Sequence, residues 1–200
     1  MIKDLMPNML KATSLRENNM LEHNKRLIGK QIYLRPITDA EEDTNNIIRW
    51  RNSDVVRPFF IYQKPFTVEG HLKWLENEIF TGKGYQFIIH RMEDDKPIGC
   101  SYLRDYDTEC RKAEYGVFIG EENEKGKGIG TESLRLVMQF AFEELKLHKL
   151  FARAFANNPA SIHSFLKNGF EQEAYLKDEV FVNGEYRDVV FLAKINPEER

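Results

Sequence analysis

Val117-Phe-Ile-Gly-Glu-Glu-Asn-Glu-Lys-Gly-Lys-Gly-Ile-Gly-Thr131 is the stretch on which the fold turns. Its apolar start ends a strand, glycines at 126, 128 and 130 alternate through a loop, and a helix follows. The helix is set by Leu134, Val137, Met138, Ala141 and Leu145, apolar residues recurring at spacings of three and four. Glycine lets backbone approach a ligand closely, and the first N–H groups of a helix have no partner within it. With the positive end of the helix dipole, these donors suit an anion such as a phosphate. The loop does not draw on net charge, because Lys125 and Lys127 are outnumbered by Glu121, Glu122 and Glu124. A nucleoside-triphosphate loop needs a Lys-Ser/Thr pair after its last glycine, and Ile129-Gly130-Thr131 has none. A dinucleotide fingerprint needs a different glycine spacing and a parallel unit. A plain flexible strand-to-helix turn is the other reading of the loop taken alone.

Upstream, Gln31 to Arg35 alternates and ends at Pro36, which predicts a strand. Asp39 to Trp50 reads as a helix, and Thr67 or Val68 to Ile79 as a second one, with Thr67 as its cap. Strands are predicted at Tyr85–Arg91, Pro97–Asp105 and Lys112–Ile119; the short polar link between the last two makes them antiparallel neighbours. Downstream, Lys149 to Ala156 alternates as a strand. Asn158-Pro159 opens a short helix with Ile162, Phe165 and Leu166 on its apolar face, and Gly169 stops it. Asn183-Gly184 between two β-rich runs marks a hairpin. The sum is an α/β (α+β) domain with a mixed, mostly antiparallel seven-stranded sheet and about four helices packed on both faces. The expected division is an arm at 1–29, one domain at 30–195 and a tail at 196–200. The arm reads either as a poorly ordered end or as a partner-binding, dimer-forming helix on Leu5, Met6, Met9 and Leu10.

Composition narrows the function classes. The 29 Lys plus Arg against 32 Asp plus Glu give a net charge of −3, so there is no electrostatic case for a nucleic-acid or membrane partner. Cys100 and Cys110 form no Cys-x-x-Cys pair, so neither a disulfide scaffold nor a metal site is expected, and a reducing cytoplasmic setting is the default. The longest apolar run, Val189 to Ala193, is far short of the ~20 residues that span a bilayer.

The ordered set of Lys125-x-x-Gly128-x-Gly130, Asn158-Pro-Ala-Ser161 and Phe165-Leu-Lys-Asn-Gly-Phe170 closely resembles the GCN5-related N-acetyltransferase (GNAT) family. The resemblance spans about residues 30 to 195 and includes Leu34-Arg35-Pro36 and Asn183 to Asp188. It implies acetyl-CoA as co-substrate, its pyrophosphate cradled by Lys125, Gly126, Lys127, Gly128, Ile129, Gly130 and Thr131. It implies that the edge of Val117, Phe118 and Ile119 meets the pantetheine arm, with Asn158, Ser161 and Phe165 beside it. An acceptor ammonium, with its pKa near ~10.4, must lose a proton before it attacks, and Glu114 is the candidate base. The family's usual tyrosine acid is replaced by Phe165, leaving Tyr175, His163 or a water as donors to the departing thiolate.

For the acceptor, Trp50-Arg51-Asn52, Phe59-Phe60 and His71-x-x-Trp74 resemble acetyltransferases of amino-sugar nucleotides. On that reading Arg51, Arg57 or His71 faces a phosphate and the aromatics, Phe60 among them, a sugar or base; the alternative for Trp50, Phe60 and Trp74 is core or rim packing. Ribosomal-protein N-termini and polyamines are the alternatives, with Glu41-Glu42-Asp43 as an acidic cluster for the latter. A binding module that holds acetyl-CoA without turnover is the alternative of a different class.

Overall fold

A computed structural model describes residues 25–199. The proposed helix on Leu5, Met6, Met9 and Leu10 lies outside the described residues. The strands are β1 (Leu27–Ile28), β2 (Ile32–Pro36), β3 (Tyr85–Arg91), β4 (Pro97–Asp107), β5 (Lys112–Ile119), β6 (Lys149–Phe155), β7 (Glu171–Val182) and β8 (Glu185–Ile195). The α-helices are α1 (Glu41–Asn52), α2 (Val68–Trp74), α3 (Ile129–Gln139) and α4 (Pro159–Lys167).

The strands form one sheet in the order β1-β2-β3-β4-β5-β6-β8-β7, antiparallel throughout except between β5 and β6. It has eight strands and not seven. The extra one is two residues long, too short for any alternation to register, and it pairs Leu27 with Leu34 and Ile28 with Tyr33. Leu27 is buried in the main core, so the sheet begins three residues ahead of position 30. At the other end, Glu199 bonds Arg111 and His148.

Alternation along the strands sorts the side chains onto two faces. Phe87 and Ile89 pack with Leu134, Val137 and Phe165 of α3 and α4, whereas Ile88 packs with Ile47, Trp50 and Leu75 beneath α1 and α2. Local signals place the elements well. Thr67 Oγ1 accepts from the Gly70 N–H at 3.1 Å, and Asn158 Oδ1 from the Ser161 N–H at 3.2 Å. Gly169 ends α4 at φ +78°, and Asn183-Gly184 turns the hairpin at φ +52° and +88°. Both α2 and α3 finish in a wider π turn, at Leu75–Ile79 and Phe140–Glu144, which the spacing of apolar residues does not announce.

Candidate active site

The parallel junction of β5 and β6 opens the site. The two strands are paired only at Lys112–Lys149, Ala113–Leu150 and Glu114–Phe151. Past Glu114, β5 stays with β4 out to Ile119 and β6 stays with β8 out to Phe155. Their facing edges part there, and backbone groups on the edge of β5 are left to serve a ligand. A cavity of about 600 Å³ occupies the gap. It runs from the glycine loop, past Val117, Phe118 and Ile119, to Glu114 and a loop holding Phe59, Phe60 and Tyr62.

The loop at one end is bare backbone. Gly126 and Gly128 have φ of +76° and +83°, and a Cβ at Gly126, Gly128 or Gly130 would meet nothing within 4 Å. Gly128 caps α3 with no side-chain bond, so the first N–H groups of the helix stay available for an anion. Lys125 Nζ donates to the Val55 carbonyl at 2.8 Å and lies 5.5 Å from the Phe59 ring centre, which ties the glycine loop to the opposite wall. Ile129, Thr131, Asn158, Ser161 and Phe165 also line the cavity. Lys127 does not line it; its amine is engaged by Glu124 at 3.1 Å.

At the other end, Glu114 is buried and held by two guanidiniums. Arg104 donates from Nε and Nη2 at 3.0 and 2.9 Å, and Arg153 from Nε and Nη2 at 3.2 and 2.8 Å. Burial pushes the carboxyl up, but the bonds from Arg153 and Arg104 outweigh it and leave Glu114 below the usual range. Such a carboxylate is a weak base, so direct removal of the acceptor's proton is disfavoured and its remaining route is through a water. Arg104 and Arg153 carry no motif of their own. The signal that finds them is the strand register, which sets Arg104 opposite Glu114 and Phe151 beside it.

Three expected site residues are elsewhere. Tyr175 is 54 % exposed on the outer hairpin, with its hydroxyl on Asp188, and does not reach the cavity. His71 is fully buried between Phe66 and Trp74, and neither ring nitrogen has a partner among the described residues. Burial drives its imidazole down to about 4 and keeps it neutral. Arg51 sits behind the cavity wall with its guanidinium carbon 3.2 Å from the Phe60 ring centre, so of the expected acceptor residues Arg51, Phe60 and His71 it is Phe60 that lines the cavity. Among the described residues no group of three metal-ligating side chains occurs, and no helix is long and apolar enough to cross a membrane.

An acetyltransferase fold with a phosphate-suited loop at a strand split is the class that these features define. The family model for the acetyltransferase (GNAT) domain matches residues 31–171, and the chain belongs to that family. It is 35 % identical over 183 residues to the Bacillus subtilis protein named probable N-acetyltransferase YjcK, covering 86 % of this chain and 98 % of that one. It is 28 % identical over 160 residues to the spermidine N(1)-acetyltransferase of Escherichia coli K12, covering 80 % and 83 %. The fold matches that of spermidine N-acetyltransferase from Vibrio cholerae, solved with CoA and spermine, at a TM-score of 0.77 and 22 % identity, over 84 % of this chain and 97 % of that one. The chain is therefore an acyltransferase of the kind that uses acetyl-CoA. The two spermidine acetyltransferases match, by name, the polyamine alternative and not the amino-sugar-nucleotide acceptor.

Proposed function

We propose that the chain moves the acetyl group of acetyl-CoA onto a primary amine of a polyamine. The observation that carries the reading is the single cavity joining the glycine loop to the Glu114 end through the split between β5 and β6. One end suits a pyrophosphate, the split suits an extended arm with two amides, and the far end has room for an amine beside the thioester. Acceptor recognition falls to the loop of Phe59, Phe60 and Tyr62, where Lys125 and Arg51 already lie over the first two rings and the Tyr62 ring is the face left to attract an aliphatic ammonium. The names of the relatives support the polyamine.

One observation favours a second acceptor. Arg104 and Arg153 share the Glu114 carboxylate, with Asp105 acting on both from farther off, so the charge nearest this end of the cavity is two guanidiniums on one bonded carboxylate. That charge repels a polycation and suits a peptide N-terminus with an acidic group near its amine. The test is thiol release from acetyl-CoA, with mass analysis of the product, against spermidine, spermine, a nucleotide amino sugar and N-terminal peptides with and without an early acidic residue. Acetylated spermidine or spermine is the expected product. Exclusive acetylation of the acidic peptide replaces the polyamine with the second acceptor.

A further inference from the structure

We propose that Tyr102 is the catalytic acid that returns a proton to the thiolate leaving acetyl-CoA. The proposal rests on the reading that acetyl-CoA fills the cavity at the β5–β6 split.

The chemistry requires a donor. The amine nitrogen bonds to the carbonyl carbon, and the carbon–sulfur bond breaks with its electron pair on sulfur. Sulfur gains a proton and nitrogen loses one. Phe165 lines the cavity and has no proton to give. Most other hydroxyls and imidazoles at the cavity are committed or remote. The Tyr115 hydroxyl is bonded to Ser133 on the α3 side, and those of Thr131 and Ser164 are bonded to each other. Tyr62 stands 73 % exposed at the rim, and His163 is exposed on α4.

Tyr102 differs from all of these. It pairs with Gly116 across β4 and β5, two residues past Glu114, where β5 has just lost β6 as a neighbour. Its ring lies over Gly116 so closely that a Cβ there would overlap its Cζ, Cε2 and Oη. The missing side chain at 116 is what lets the phenol lie flat across the strand at the mouth of the split. Tyr102 lines the cavity, is half-buried, and its hydroxyl has no hydrogen-bond partner among the described residues. Burial raises its pKa and keeps it protonated, while Arg104, 5.9 Å from the ring centre, and Arg51 act in the opposite direction and would steady a phenolate. The Tyr102 proton passes to sulfur, and the phenolate takes back the proton that nitrogen loses, directly or through a water.

The test is Tyr102→Phe in the full-length chain, which keeps the ring and removes only the hydroxyl. Expected are a fall in kcat of about 100-fold and CoA affinity within about threefold of the wild type, as suits a contact made in the transition state. A second readout is independent of turnover. The thiol of bound CoA, followed by thiolate ultraviolet absorption, ionises at higher pH in Y102F, because the phenol no longer donates to the thiolate. Wild-type kcat in Y102F, or unchanged ionisation of the bound thiol, overturns the assignment. Failure of the wild-type protein to bind CoA overturns the cavity reading and the assignment together.

Discussion

Glu114 and Arg153 are joined by a two-pronged ion pair, Nε to Oε1 at 3.2 Å and Nη2 to Oε2 at 2.8 Å, from the last rung that β5 and β6 share to a residue two positions past it on β6. The pair staples the two strands at the point where they begin to part, and Arg104 grips the same carboxylate from β4. One side chain therefore holds three strands in register at the inner end of the cavity.

Replacing Glu114 with Gln removes the carboxylate that both guanidiniums bond, leaving Asp105 acting on them from farther off. Breaking such a pair in a buried setting costs 3–5 kcal/mol; with both arginines about a third exposed, roughly 2 kcal/mol is expected here. Because the folded carboxyl lies below the ordinary value, its contribution is present above the unfolded carboxyl's pKa of ~4.3 and is lost as pH falls through the lower folded one. Urea unfolding of the wild type and E114Q should thus show a gap at neutral pH that closes at strongly acidic pH. A gap that persists at low pH would contradict the ion-pair account.

His71 titrates in a different window. Its folded value of about 4 lies below the unfolded ~6.5, so the unfolded chain binds the extra proton. Stability from this group is complete above about 6.5 and drains away as pH falls towards 4, by an amount on the order of 3 kcal/mol. Phe in its place keeps the ring contacts with Phe66 and Trp74 and removes two unpartnered nitrogens. His71→Phe should be as stable as the wild type or more so at neutral pH, and should flatten the stability curve between pH 6.5 and 4. Steady-state kinetics should not change, since the ring does not reach the cavity; a raised acceptor KM would restore His71 to the acceptor site.

What could be read in the sequence is what is local. The glycine loop, the caps at Thr67 and Asn158, the stop at Gly169 and the Asn183-Gly184 turn each depend on a few adjacent residues. What could not be read depends on register. Arg104, Glu114 and Arg153 are separated by 10 and 39 residues and meet only when β4, β5 and β6 are aligned. Tyr102 is unremarked until Gly116 stands opposite it, and an aromatic facing a glycine across a short hairpin was the available clue. Arg51 and His71 depart from the sequence pattern for the opposite reason. Their residue types suggested ligand contact, but the helices that carry them turn both side chains into the layer beneath the sheet.

Gly130 separates loop function from fold. It lies in the first turn of α3 without a positive φ, and its absent side chain has open space around it. Gly130→Ala should stabilise the chain by roughly 0.5–1 kcal/mol, since alanine is the better helix former. A methyl group fits the open space there, so CoA affinity should stay within about threefold of the wild type, whereas Gly128→Ala, at φ +83°, strains the loop and should lower CoA affinity. Calorimetric titration with CoA reads the affinity, and a thermal melt reads the stability. Unchanged CoA affinity in Gly128→Ala would remove this loop from the phosphate cradle.

Asn158 has two roles that a pair of variants can divide. Its side chain caps α4 through Ser161 and also lines the cavity. Asn158→Ala loses the cap and should cost about 1 kcal/mol. Asn158→Ser keeps a capping oxygen but is shorter, so it should retain the stability while losing reach into the cavity. If Asn158 contacts the pantetheine arm, CoA affinity falls in both variants. If the residue is only a cap, affinity falls in N158A alone, in step with the melt of α4. Measuring CoA affinity and thermal stability on the same two variants decides between these, because the contact predicts loss of binding in a protein whose helix is intact.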